Sequence, residues 1–168
     1  VAAPIDGAVL RVTRDSEGPV AVGAPLLEVG NAADLEIVVD VLSTDAVQVI
    51  PGAEVSIERW GQPTPLAGRV RRIEPAGFTK VSALGIEEQR VRTTIDLAEA
   101  PEVWSRLGHD YRVIVHVVIW SAGDVLTVPV GSLFRKGNDW AVYAVKAGRA
   151  RTTLVRIGHR NAQQAEVL

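Results

Sequence analysis

From Arg90 to Leu97 the chain alternates without a break. Val91, Thr93, Ile95 and Leu97 fall on one side, and Arg90, Arg92, Thr94 and Asp96 on the other. A two-residue period sorts these residues into one packed and one wetted face, whereas a helix would scatter them around its circumference. Leu35, Ile37, Val39 and Val41 repeat the pattern against Glu36, Val38 and Asp40. Elsewhere, short apolar runs recur between Gly, Pro, Asn and Asp, and helical periodicity is nearly missing. With 15 glycines and 9 prolines as punctuation, the chain is predicted to be mainly all-β.

Three sections follow from the punctuation. Residues 1–30 read as tight turns around short strands at Ala8 to Val12 and Val20 to Val29, with Gly7, Gly18 and Gly23 at turn positions suited to positive φ. Residues 31–121 hold a strand at Leu35 to Val41 and a short helix from Thr44 to Ile50, capped by Ser43 or Asp45 and stopped by Pro51-Gly52. Strands follow at Val55 to Trp60 and Leu66 to Ile73, then a long loop from Glu74 to Glu88, then the strand Arg90 to Leu97 with the patterning of a barrel wall. After a loop, Tyr111 to Trp120 is apolar on both faces except at Arg112 and His116, and is expected to be the most buried strand. Residues 122–168 read as a β-meander, with turns at Lys136 to Asp139 and Lys146 to Arg149.

Several classes of function are disfavoured at this level. A net charge of −2 lacks the basic footprint of a nucleic-acid binder. Cysteine is absent, which removes disulfides, CxxC redox pairs and thiolate metal sites. The chain opens on Val-Ala-Ala-Pro without methionine and is expected to be an internal piece of a longer protein. Its longest apolar run, Val113 to Trp120, is far short of the roughly 20 residues that span a bilayer.

Catalytic and cofactor motifs are equally sparse. His109, His116 and His159 have no metal-ligand spacing, and no metal or other cofactor is expected. Ser132 lacks the second glycine of a nucleophile elbow. Glu87 and Glu88 are adjacent in a polar segment, with no dry pocket to raise a carboxyl pKa, and are expected in a solvated loop. No phosphate-binding glycine motif occurs. The chain is therefore expected not to be an enzyme. Two features suggest partner contacts instead: the basic cluster Arg69, Arg71 and Arg72, and the relatively apolar loop Phe78 to Gly85, with Phe78 and Leu84 its largest apolar members.

The run Ala3-Pro4-Ile5-Asp6-Gly7-Ala8-Val9, followed by Gly18, Val20, Gly23 and Pro25-Leu26, resembles the second half of a split lipoyl-like domain. Leu35 to Val41, Thr44-Asp45, Ile50 to Val55, Gly68-Arg69-Val70 and Ile73-Glu74-Pro75 resemble the β-barrel domain that follows it in periplasmic adaptors, the HlyD-like membrane fusion proteins. Leu126 to Leu133, Trp140 to Tyr143 and Val155 to Gly158 are similar to the membrane-proximal domain of the same family. The resemblance implies a half lipoyl-like β-sandwich (1–30), a β-barrel domain (31–121) and a truncated membrane-proximal β domain (122–168), with the first lipoyl half and helical hairpin lying outside the chain. No lysine precedes Lys80, so residues 1–30 carry no lipoyl or biotinyl group.

Family membership further implies a periplasmic location, with anchoring to the inner membrane through a segment not present here. The expected partners are an inner-membrane transporter of RND or ABC type, as in efflux or type I secretion, a TolC-type outer-membrane channel reached through the missing hairpin, and about six copies of the adaptor itself. Linkers near Asn31 and Ala122 would let the modules tilt. The competing class is a β-rich carbohydrate or cell-wall binding module with Trp60, Trp104, Trp120 and Trp140 as stacking platforms.

Overall fold

The structure is a computed structural model and describes residues 2–31 and 33–168. The chain forms two compact units, Val1–Ile119 and Trp120–Leu168. Both are built of antiparallel strands, as the alternation predicts.

In the first unit, β1 (Ala8–Val12) and β2 (Leu27–Gly30) pair as a two-stranded ribbon. The remaining strands are β3 (Glu36–Leu42), β4 (Glu54–Glu58), β5 (Leu66–Val81), β6 (Glu87–Leu97) and β7 (Ile114–Val117). They form one sheet in the order β3-β6-β5-β4-β7. The barrel expected for this region is thus seen as an open ladder, with β3 and β7 as its outer strands among the described residues. Register aligns the apolar positions: Ile95 lies opposite both Ile37 and Val70, and Ile57 opposite Leu66. Ile57 and Ile95 are fully buried, and Trp104 and Leu107 from the loop after β6 close over the same core. Each such side chain contributes about 1.5–3 kcal/mol by leaving water. Gly68 faces inward between them, where a Cβ would lie 2.9 Å from both the Asp96 carbonyl and Ile57 Cδ1.

Four expectations are corrected in this unit. The helix is the single turn α1 (Ser43–Ala46), with Leu42 at its N-cap and no side-chain capping bond from Ser43 or Asp45. Pro51 disfavours helical backbone at Ile50, and tight turns at Gln48 and Val49 bring Val49 into the core instead. The loop expected over Glu74 to Glu88 is largely strand, because β5 runs through to Val81 and β6 starts at Glu87. Two irregularities absorb the punctuation: Arg71 is an extra residue between Val70 and Arg72, and Glu74-Pro75-Ala76 bulge out between Ile73 and Gly77. Glu87 and Glu88 are consequently strand residues of β6 rather than loop residues. Finally, β7 is not the most buried strand. Among the described residues it pairs with β4 alone, at the edge of the sheet, and Val115 and Val117 are half-buried while Ile114 and His116 are exposed.

The second unit contains β8 (Thr127–Pro129), a 3-10 turn at Val130–Ser132, β9 (Phe134–Lys136), β10 (Asp139–Lys146), β11 (Arg149–Val155), β12 (Ile157–Arg160) and β13 (Gln164–Val167). Strands β9, β10 and β11 make the expected meander, while β13 lies between β12 and β8. The β10–β11 turn places Ala147 at φ 51° and Gly148 at φ 72°, the left-handed pair that matches strand twist in a two-residue hairpin. Buried apolar residues here are Ala141 and Ala165.

Candidate interaction surfaces

The outward face of the first unit's sheet is organised by ion pairs. The bulge at Arg71 leaves two consecutive arginines, Arg71 and Arg72, on the wet side while Val70 stays buried. Arg71 Nη2 reaches Glu36 Oε2 at 2.5 Å and Asp96 Oδ1 at 2.8 Å, tying β5 to β6 and β3. Arg69 lies 3.8 Å from Glu54, and Arg72 lies 3.5 Å from Glu74. The three arginines singled out from sequence therefore each face a carboxylate, which offsets their charge. Exposed pairs of this kind add at most about 1 kcal/mol each.

A second polar node lies farther along the β5–β6 hairpin. Lys80 Nζ sits 2.7 Å from Asp40 Oδ2, with Arg92 Nε 3.9 Å from the other oxygen. Arg90 donates to the Asp40 carbonyl at 2.5 Å and to Glu88 at 2.6 and 2.9 Å. The Arg92 guanidinium lies 5.6 Å from the centre of the Phe78 ring, so Phe78 is a strand residue held by a cation. Beyond this node, Ser82 N–H donates to the Ile86 carbonyl at 2.8 Å and closes the tip, where Gly85 takes φ 76°. Leu84 projects from that tip, 86% exposed, flanked by exposed Val81 and Ile86. The arrangement is a braced hairpin with an apolar end. Phe78 and Leu84 share the hairpin but not a common surface role.

The three glycines of the first section serve different ends. Gly23 and Gly18 take positive φ, at 85° and 147°. Gly7 does not take a positive φ: its missing Cβ lets the chain pass the Gly30 carbonyl, which a methyl group would approach to 2.6 Å. Every residue of β1 is exposed, and Val9, Leu10, Val12 and Leu27 present apolar surface from the ribbon. Arg11 pairs with Asp110 and Glu28. At Asn31, the side chain accepts from Ala33 N–H and donates to Asp34, forming a closed turn where the next section begins.

Groups with potential chemistry lie apart. His109 is beside Asp110, His116 beside Glu58, and His159 beside Glu166. Among the described residues no three metal-ligating side chains converge. Ser132 Oγ donates to the Pro129 carbonyl at 2.7 Å and so closes its own 3-10 turn. Each indole also has its own partner. Trp104 is buried and donates to the Glu99 carbonyl, Trp60 donates to the Thr64 carbonyl, Trp140 lies under the Arg135 guanidinium, and Trp120 stacks on the His159 ring at 4.0 Å. The Trp120–His159–Glu166 grouping was not visible in the sequence, because it joins residues far apart in the chain. Glu166 is held below its ordinary carboxyl value, chiefly by the His159 backbone N–H it accepts, against the opposing effect of burial.

No family model matches the chain, and no curated protein matches it. Its fold resembles the crystal structure of MacA from Actinobacillus actinomycetemcomitans, with a TM-score of 0.66 and 18% identity over 99% of this chain and 49% of that one. ZneB from Cupriavidus metallidurans also matches, with a TM-score of 0.40 and 13% identity over 98% of this chain and 46% of that one. Of these two, the MacA likeness bears on the fold. The chain spans about half the length of either structure.

Proposed function

We propose that the chain is the β-rich portion of a periplasmic adaptor, coupling an inner-membrane efflux or secretion transporter to an outer-membrane channel without a catalytic step. The observation that carries this reading is the MacA likeness along almost the whole chain, which agrees with the adaptor-like segments found in order in the sequence. On this reading the modules are 1–30, 31–121 and 122–168, the transporter is of RND or ABC type, and the adaptor is anchored to the inner membrane through a segment outside the chain. The TolC-type channel is reached through a helical hairpin, also outside the chain, and about six copies form the ring. The HlyD-like family and type I secretion remain part of the same proposal. Fold likeness by itself does not assign function, so the reading is tested at the residues proposed to meet partners.

Those residues are the hairpin tip with Leu84 and the outward arginines Arg69, Arg71 and Arg72. Because the chain has no cysteine, Leu84→Cys and Arg69→Cys introduce unique crosslinking sites. In the full-length protein in its own membranes, either site should crosslink to an inner-membrane transporter identified by mass spectrometry. Failure of both, together with unchanged export when the protein is deleted, would count against the adaptor reading. The carbohydrate-binding alternative gains no support from the indoles, each of which is engaged separately.

A further inference from the structure

The segment that leads into the second unit has few anchors. Among the described residues, none from Ile119 to Val125 takes part in a hydrogen bond. Backbone bonding ends where Val118 N–H donates to the Glu54 carbonyl, and it resumes where Leu126 accepts from Val167 N–H. The one aromatic ring in this stretch is that of Trp120, the first residue of the unit. It lies 4.0 Å from the His159 ring on β12, with only 12° between the two planes. What fastens the segment is therefore this stack.

The geometry suits a cation better than a neutral ring. Two neutral aromatic rings avoid a close face-to-face sandwich, because both faces are electron-rich, whereas a positively charged imidazole is attracted to the indole face. A counter-charge is also in place. Glu166 Oε2 accepts from His159 N–H at 3.0 Å and lies 3.3 Å from His159 Nδ1, and the Glu166 side chain is only 13% exposed. Gly158 makes the room, since a Cβ there would collide with that oxygen. With its carboxyl held below the ordinary value, Glu166 is ionised throughout the range, about pH 5 to 8, in which an imidazole takes up its proton. The His159 side chain is 60% exposed, so the proton exchanges with solvent. The other charged residues on this sheet and on the segment leading to it are Arg156 and Arg160, flanking or ending β12, and Asp124; none forms an ion pair among the described residues.

We propose that Trp120 and His159 form a proton-operated latch, in which proton uptake by His159 fastens residues 120–125 to β12 and proton loss frees them as extra tether ahead of the second unit. Freed and extended, six residues span up to about 20 Å. The sign follows from the charges. The charged imidazole gains both the indole face and the Glu166 carboxylate, so the latch tightens as pH falls through the imidazole range. It weakens again at lower pH, where Glu166 takes up its own proton. This goes beyond the adaptor reading and does not require it, and transporter crosslinking and latch closure succeed or fail separately.

The test is limited digestion of the whole chain by proteinase K, with cleavage between residues 119 and 126 located by mass spectrometry, because the rate tracks how often the segment is free. Dividing each variant's rate by the parent's at the same pH removes the protease's own pH dependence. For His159→Gln that ratio should rise about two- to fivefold from pH 8 to pH 5.5, the size of an exposed cation–π contact. Trp120→Leu should give the same rise, and the double variant no more than either alone. Glu166→Gln keeps an acceptor for the His159 N–H and removes the charge, so it should retain only part of the parent's protection at pH 5.5. In the parent, the Trp120 share of the fluorescence, taken as the difference from Trp120→Phe, should be quenched over the same pH range as the charged imidazole closes on the indole. Ratios that stay flat with pH, a double variant whose rise is the product of the two single ones, full protection in Glu166→Gln, or Trp120 emission that does not change with pH would each overturn the proposal.

Discussion

Thr93 offers a substitution whose sign can be worked out in advance. It sits in the middle of β6, fully buried, opposite Val39 on β3 and Ile73 on β5. Its hydroxyl oxygen has no hydrogen-bond partner. A buried hydroxyl without a partner costs about 1–3 kcal/mol. Valine keeps the branched shape and the strand preference, and adds a methyl worth about 0.8 kcal/mol when buried. Thr93→Val should therefore stabilise the first unit by about 2 kcal/mol. With a urea dependence of about 2 kcal/mol per molar, the midpoint rises by about 1 M. Thr93→Ser keeps the hydroxyl and removes the methyl, and should destabilise by about 1 kcal/mol. Fluorescence in a Trp120→Phe/Trp140→Phe background leaves Trp60 and Trp104 to report this unit alone. A Thr93→Val midpoint equal to or below the parent's would refute the reasoning, because it would mean that the hydroxyl is satisfied.

Other outcomes follow from the same kind of argument. Gly68→Ala places a methyl 2.9 Å from the Asp96 carbonyl and Ile57 Cδ1 and 3.0 Å from Ile95 Cγ2, and should destabilise by about 1–3 kcal/mol in urea unfolding. Adding Ile57→Val relieves one of the three contacts, so it should recover only part of that loss. Ala147→Asn relieves a left-handed alanine in a turn that favours Asn-Gly, and should raise the second unit's thermal midpoint by an amount equivalent to about 0.5–1 kcal/mol. Glu166 has a folded value below 4.5, so its stabilising effect is complete above that pH and is lost as pH falls through the folded value. In acid unfolding followed through Trp120, Glu166→Gln should flatten that segment of the curve, and an unchanged slope would contradict the assignment.

The strands whose two-residue period survives in the sequence were the legible part of the fold. Leu35 to Val41 and Arg90 to Leu97 fall on β3 and β6, within a few residues at each end. The period breaks where bulges insert residues. Glu74-Pro75-Ala76-Gly77 looks like the end of a strand, yet β5 continues through it, as it does through the bulge at Arg71. The one-residue bulge at Arg71 shifts parity, and the Pro and Gly after Ile73 read as turn punctuation, so neither signal carries the strand onward. The Tyr111 to Trp120 run failed differently. Its apolar content implied a central strand, but burial depends on neighbours, and β7 has one. The interaction surfaces were legible as composition and not as geometry. The arginine cluster was evident, whereas its pairing with Glu36, Asp96, Glu54 and Glu74 needs the register that brings distant strands together.

Burial is allotted unevenly between the units, and this bears on how an adaptor would work. The first unit buries Ile37, Val55, Ile57, Leu66, Val70, Ile95, Trp104 and Leu107 in one cluster, enough apolar surface to hold a sheet in register. The second, of about fifty residues, buries two alanines, while Leu126, Tyr143, Val145 and Leu154 remain exposed. Its strands therefore gain from whatever covers those exposed side chains. A unit whose apolar surface faces outward couples its own order to the surface it meets, since anything that binds only the folded form stabilises it. If the chain is the adaptor proposed above, that coupling would be the useful property: the sheet with the large core would keep its shape, and the unit with the small core would become rigid on docking.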